Sequence, residues 1–322
     1  MTKYHLNGFT YSWEKGKHNI SYPQETPKTF FKYYALNENS VDALTNLYIY
    51  ASHPHQLNDL LDCHKDIVNV NDLESVKAIL RFHFEECRQL FENEEKIFEY
   101  AKSMFKALYY TKIGIFSLTS TDNNEIMWAL YAQNNGFCLE FDVQAFPFKT
   151  WGPYPINYIE KIPSLDSDKY GLQIPLLVQC FVKRSSWAHE NEWRLLPHSP
   201  CGENMTYYNW GGKNFKFLKP LNFRDRKFKY PIRALKSVKL GPLFLNNCSW
   251  ELVQGELDEY HVECKKDSLE FRVLRFLDCL QKQHDIKVYL SDANIKDKIY
   301  FVPIQIVQLN ELNFRIIELS TQ

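Results

Sequence analysis

IGIFSLTSTDNNEIMWALYAQNNGFCLEFD, residues Ile113 to Asp142, reads as strand, polar turn, short helix, glycine break and strand. Ile113 to Leu118 is apolar and β-prone. Ser117, Thr119, Ser120, Thr121 and Asp122 crowd hydroxyl and carboxyl groups at its exit, where they can cap a following helix. From Asn124 to Ala132, Ile126, Trp128, Leu130 and Tyr131 wrap little more than two turns. Asn134, Asn135 and Gly136 then supply residues that tolerate the left-handed conformation ending a helix. Phe137 to Val143 is the second strand. Each feature alone is ordinary helix punctuation, and a buried Trp or Tyr is usually core. Together, a hydroxyl-rich strand end and a Trp/Tyr helix between two strands would make the floor and wall of a site for a flat polar ligand.

Working outward, the flanks alternate strand and helix patterns. Upstream, Thr29 to Ala35 is a strand, Asn37 to Ser40 caps a helix over Val41 to Asn46, and Leu47 to Ser52 is a strand ended by Pro54. That run predicts a minimal strand–helix–strand crossover. Residues 1–28, polar and aromatic with Pro23 and Pro27, predict an extended arm lying on the body or on a second subunit. Residues 68–108 carry apolar side chains at three- and four-residue spacing and no proline, predicting a helical insertion of two helices.

Downstream, Gln173 to Arg184 is apolar enough for a helix or a buried strand. Residues 201–231 read as loops or a hairpin, Leu235 to Leu240 and Ile286 to Leu290 as strands, Ser268 to Gln283 as an amphipathic helix, and Tyr300 to Leu319 as one or two strands. No internal repeat or linker is visible. The expectation is an α+β fold with mixed or antiparallel sheets, residues 29–322 forming one domain with its insertion at 68–108.

Composition narrows the function classes. The 322 residues suffice for a sizeable core, and 45% hydrophobic against 24% charged residues excludes a disordered chain. A formal net charge of −1 gives no global attraction to nucleic acid or anionic lipid. The 8 cysteines are scattered, without a Cys-x-x-Cys pair or a zinc-like Cys/His spacing. They read as free thiols of a reducing cytoplasm. No stretch approaches transmembrane length and no signal-like apolar core opens the chain, so no membrane partner is expected.

Two stretches carry candidate chemistry. In Trp187-Ala188-His189-Glu190-Asn191-Glu192-Trp193-Arg194, period-2 alternation puts Glu190, Glu192 and Arg194 on one face of a strand. Two carboxylates side by side repel unless compensated, by Arg194 or by a cationic ligand. Such a pair can stabilise an oxocarbenium-like centre and orient a nucleophile. The plainer reading is a surface strand with a Glu192–Arg194 ion pair. In the loop from His53 to Asp62, Asn58, Asp59 and Asp62 would contact a ligand or Mg²⁺, or else cap a helix.

FFKYYALNENSVDALTNLYIYAS, QLNDLLD, IGIFSLTSTDNNEIMWALYAQNNGFCLEFD, WAHENEWRL and ALKSVKLG stand in the order and spacing of a bacterial family, the domain-of-unknown-function 2971 family, which residues 29 to 310 resemble. Leu57-Asn58-Asp59-Leu60 departs from the family's Phe-Asn-Asp-Pro, and Leu130 and Asn135 stand where it has histidines.

The layout also resembles the ADP-ribosyltransferase fold. Lys32 or Tyr33 takes the place of its first-strand residue, Thr119-Ser120-Thr121 or Ser117 with Tyr131 that of its Ser-Thr-Ser strand and aromatic, and Glu190-x-Glu192 that of its Glu-x-Glu. That resemblance implies NAD as substrate, its nicotinamide stacked on Tyr131 or Trp128, and Lys32 at the pyrophosphate. Glu192 would hold the ribose and stabilise positive charge, and Glu190 would activate the acceptor. It implies a transferase or NAD-consuming toxin in anti-phage defence, with a protein or nucleic-acid acceptor, and control by an antitoxin or by the helical insertion. The alternatives are a metal-dependent phosphodiesterase or nuclease built on Asn58, Asp59, Asp62 and the glutamate pair, and a nucleotide-binding sensor without turnover.

Overall fold

The computed structural model describes residues 2–320 except 16, 81–83, 91–92, 113, 198–204, 211–212, 219–225, 256, 266–269, 284–285 and 295–297. The fold is mixed α+β. The chain, read above as one domain, divides into two compact units: Met1–Thr26, Tyr50–Ser117 and Phe148–Phe228 form the first, and Pro27–Ile49, Leu118–Pro147 and Lys229–Gln322 the second.

In the first unit the expected N-terminal arm is instead a three-stranded antiparallel meander, Thr2–Leu6, Phe9–Glu14 and Lys17–Ser21. The missed signal is Asn7-Gly8. Both residues take positive φ (49° and 78°), the conformation of a two-residue hairpin turn, and Leu6 pairs with Phe9 across it. Alternation along the second strand buries Phe9 and Tyr11, which join Ile20 and the helix Gln173–Phe181 in one core cluster. Asn157, fully buried, pins the turn: its Nδ2 donates to Leu6 O (2.9 Å) and its Oδ1 accepts from Asn7 Nδ2 (3.1 Å).

The helical insertion is present but differs in detail. Val68–Asn69 is a short strand, parallel to Leu165–Asp166, and the helices are Leu73–Leu80, Phe84–Leu90 and Glu94–Lys112. Val76, Ile79, Leu80, Ile97 and Ala101, at helical spacing, build its separate small core. The 173–184 run resolves as a helix followed by the strand Val182–Arg184, parallel to Asn157–Ile159. Glu192–Pro197, buried throughout, pairs antiparallel with Thr150–Pro155. Met205–Trp210 and Lys213–Leu218 form a hairpin.

The second unit is a mixed sheet. Its strand order is Ser249–Val253, Glu259–Glu263, Asn313–Glu318, Lys298–Gln308, Lys287–Asn294, Leu235–Leu240, Phe137–Phe141 and Phe30–Tyr34, with Phe31 paired to Thr119 beyond. Every pairing among these is antiparallel except Leu235–Leu240 with Lys287–Asn294. The expected crossover at 29–52 is absent. The helix Glu38–Thr45 forms, closed by a reciprocal Asn37/Ser40 capping box, but Tyr230 N–H then bonds Leu47 O (2.9 Å) and the strand Tyr48–Tyr50 pairs away from Phe30–Tyr34.

The central stretch behaves as its residues dictate. Asn124 caps the helix Glu125–Ala132, its side chain accepting from the Ile126 and Met127 amides. Gln133 and Asn134, rather than Asn135 and Gly136, take the left-handed conformation. Gly136 serves closeness instead: a Cβ there would lie 2.1 Å from Tyr34 O and 2.7 Å from Ala132 O. Both neighbours are backbone and cannot swing aside. Gly136→Ala is therefore expected to lower stability by about 1–3 kcal/mol or more, read as a lower urea midpoint with a little-changed m-value.

Candidate functional site

The first unit contains a buried ion cluster. The strand Glu192–Pro197 presents Glu192 and Arg194 on one face, as alternation requires, and the guanidinium Nε donates to Glu192 Oε1 (2.7 Å) while Nη2 donates to Oε2 (3.1 Å). Arg194 Nη1 reaches Asp62 Oδ1 (2.9 Å) and Cys180 O (2.8 Å), and Nη2 also bonds Asp62 Oδ2. This is a bidentate pair on each carboxylate, the geometry a planar fork favours. Arg194 is 0% exposed and Glu192 5%.

Lys183, the second residue of the strand Val182–Arg184, supplies the other cation. Its Nζ lies 2.5 Å from Glu190 Oε2, 3.3 Å from Glu192 Oε2 and 3.8 Å from Asp62 Oδ2, and stands 4.6 Å from the centre of the Trp187 ring. Glu190 does not lie on the strand as alternation suggested. Residues 185–190 form a 3₁₀ turn, and Asn191, at φ 45° and ψ 45°, swings the chain into the strand at Glu192. Glu190 and Glu192 meet because both turn to Lys183.

The backbone N–H of Glu192 donates to the Tyr158 hydroxyl (2.8 Å), and Ser117, second residue of the strand Phe116–Thr119, hydrogen-bonds the Glu192 carboxylate. Three carboxylates thus face two cations, leaving one formal negative charge in excess. Burial pushes the Glu192 carboxyl up, but the charges of Arg194 and Lys183 and the bonds from Arg194 and Ser117 outweigh it and hold Glu192 well below the usual carboxylate range. Burial likewise opposes the charged forms of Lys183 and Arg194. For Lys183 the charges of Glu192, Glu190 and Asp62 prevail, for Arg194 those of Asp62 and Glu192, and both are raised.

One member, Lys183, escapes the sequence reading, since it closes an apolar run and carries no motif; Asp62 is expected beside the glutamate pair as a metal ligand and is found there as a partner of Arg194. Asp59 does serve locally, its Oδ1 accepting from Leu61 N–H (2.9 Å), whereas Asn58 is exposed. Among the described residues no group of three or more His, Cys, Asp or Glu is placed to hold a metal ion.

The remaining candidates belong to the second unit. Trp128 is fully buried, its indole N–H donating to Asp122 O (2.8 Å) and its ring meeting Tyr33 edge-on at 5.0 Å. It is core, which corrects the expectation of a stacking surface. Tyr33 is also core, its hydroxyl donating to Thr121 O (3.1 Å). Thr119 is buried and accepts from Thr121 N–H (3.3 Å). Ser120 is half-buried, Tyr131 packs half-buried on the Phe31 and Tyr33 cluster, and Lys32 Nζ stands 6.0 Å from the Tyr34 ring centre. Comparison with protein-family models, with curated proteins and with solved structures finds no match.

Removing one ion of a buried cluster strands its partners. Arg194→Met is expected to cost about 3–5 kcal/mol, measured by chemical denaturation. The pH dependence follows from the directions of the shifts. Glu192 is depressed in the folded state, so its contribution is full above the ordinary carboxylate pKa and is lost as pH falls below it. Lys183 is raised, so its contribution is full below the ordinary lysine pKa and is lost only above it. Stability is expected to fall on acidification below about pH 4, and Glu192→Gln to flatten that fall in urea midpoints measured against pH.

Proposed function

We propose that the protein is an ADP-ribosyltransferase-like enzyme that consumes NAD, with Glu192 as the carboxylate facing the breaking glycosidic bond. The observation that carries this reading is the oriented, ionised Glu192: the hydroxyl of Ser117, within the strand Phe116–Thr119, bonds it, and the cluster around it holds one formal negative charge in excess. As the bond to nicotinamide breaks, positive charge develops on the ribose, and a fixed anion lowers the energy of that state more than of the ground state. Glu190, which pairs with the ammonium of Lys183, is the base for the acceptor. The resemblance to the domain-of-unknown-function 2971 family, and a role as a toxin in anti-phage defence, belong to the same proposal.

The metal-dependent reading required Asp62 to converge with the glutamates, and it does. Yet Arg194 and Lys183 already occupy the oxygens a divalent ion would need.

The test uses NAD labelled on the adenine side, incubated with the purified full chain and with separate protein and nucleic-acid fractions of a lysate. Wild type is expected to release nicotinamide and transfer label. Glu192→Gln is expected to lose about 10²-fold or more of the rate and Ser117→Ala about tenfold, with folding checked by thermal melting. Equal rates in wild type and Glu192→Gln would overturn the assignment. NAD binding without turnover would point to a sensor.

A further inference from the structure

The second unit holds a pair of thiols that the proposed chemistry does not use. Ser249–Val253 and Glu259–Glu263 run antiparallel, with Ser249 opposite Glu263 and Trp250 opposite Val262. One step further out, the same register sets Cys248 opposite Cys264. Cys248 is itself extended, at φ −149° and ψ 171°, so the register carries through to it. Directly opposed side chains on an antiparallel pair share a face, with Cβ atoms about 4.5–5.5 Å apart, close to the span a disulfide bridges.

Both cysteines are free thiols, and each is the largest influence on the other's titration. Cys264 is fully buried, on the same side of its strand as the buried Val262, whereas Cys248 is partly exposed and hydrogen-bonds Leu245 O (3.4 Å). An inner sulfur is thus paired with an outer one that a small oxidant can reach. The pairing lowers Cys264 and raises Cys248, so the two thiols titrate as a pair.

We propose that Cys248 and Cys264 are a redox modification site, joined by a reversible disulfide on exposure to peroxide, which ties Ser249–Val253 to Glu259–Glu263. Ser249–Val253 is the outermost strand of its sheet among the described residues and is exposed along its whole length, so it is the strand with most to gain from a covalent tie.

The step balances as follows. Cys248 gives up its proton to solvent, and its thiolate attacks one oxygen of hydrogen peroxide. The O–O bond breaks, giving a sulfenic acid and hydroxide. The Cys264 sulfur attacks the Cys248 sulfur, the S–S bond forms, the S–O bond breaks, and hydroxide leaves. The released hydroxides take up the two thiol protons. In total two thiols lose two electrons and two protons, and one peroxide becomes two waters.

The experiment treats the reduced full chain with hydrogen peroxide, quenches free thiols with an alkylating agent, and maps peptides without reduction. Amide exchange of the reduced and oxidised forms is measured in parallel. The expected result is a peptide pair linked through Cys248 and Cys264, restored to two alkylated cysteines by a dithiol reductant, with exchange in Ser249–Val253 slowed about tenfold or more in the oxidised form. Cys248→Ser should abolish the link while Cys264 is still recovered as a thiol. Recovery of both cysteines alkylated after peroxide, of Cys248 as sulfinic acid without a link, or of disulfides only at other cysteines would each overturn the proposal. The wild-type map decides the matter even if the serine variant fails to fold.

Discussion

A fully buried guanidinium is the constraint around which the first unit is arranged. Taking Arg194 out of water costs several kcal/mol, and only a near-complete set of charge-assisted partners offsets it. Asp62, Glu192 and the carbonyl of Cys180 provide that set. Each arrives on a different element: the turn after Pro54, the strand Glu192–Pro197 and the end of the helix Gln173–Phe181. A displacement of any of them would leave a charge unpaired in the interior. The network therefore specifies how these segments meet, which hydrophobic packing alone, tolerant of small slides, does less sharply.

The same arrangement bears on chemistry. Two cations against three carboxylates keep Glu192 ionised yet do not neutralise the cluster. Lys183 differs from Arg194 in kind. It is a point charge on a flexible stem, bridging Glu190, Glu192 and Asp62 and resting on the Trp187 ring, while Arg194 is a rigid fork. The proposed glycosyl chemistry uses the fixed anion that Arg194 holds in place.

The second unit rests on aromatic packing around a partly buried ion pair, in which Lys239 meets Asp122 and stands over the Phe31 and Phe301 rings. Trp128 and Tyr33 fill its interior next to Cys138 and Met127, each polar tip finding a main-chain carbonyl at the turn formed by Thr121 and Asp122. The hydroxyl-rich turn thus closes the aromatic core of its own unit, with Thr119 turned to the neighbouring Thr121. Ser117 belongs to the first unit, as does the Glu192 carboxylate it hydrogen-bonds.

Much of the local structure was legible in the chain. The Asn124 cap, the capping box at Asn37 and Ser40, the helices of the insertion and the strands at 30–34, 137–141 and 235–240 follow from periodicity and punctuation, which act over a few residues. So did the shared face of Glu192 and Arg194. The Asn-Gly hairpin at residues 7 and 8 was written there too, and was passed over for the two prolines downstream. What the sequence by itself determined is where several elements are capped and which of their faces are apolar. Tertiary structure alone decided that Asp62 and Lys183 join Glu192 and Arg194, that Glu190 turns to them from outside the strand, and that Trp128 is core rather than a ligand platform. Those outcomes depend on which distant segments share a low-dielectric interior, where an unpaired charge is too costly to leave, and no spacing along the chain encodes that choice.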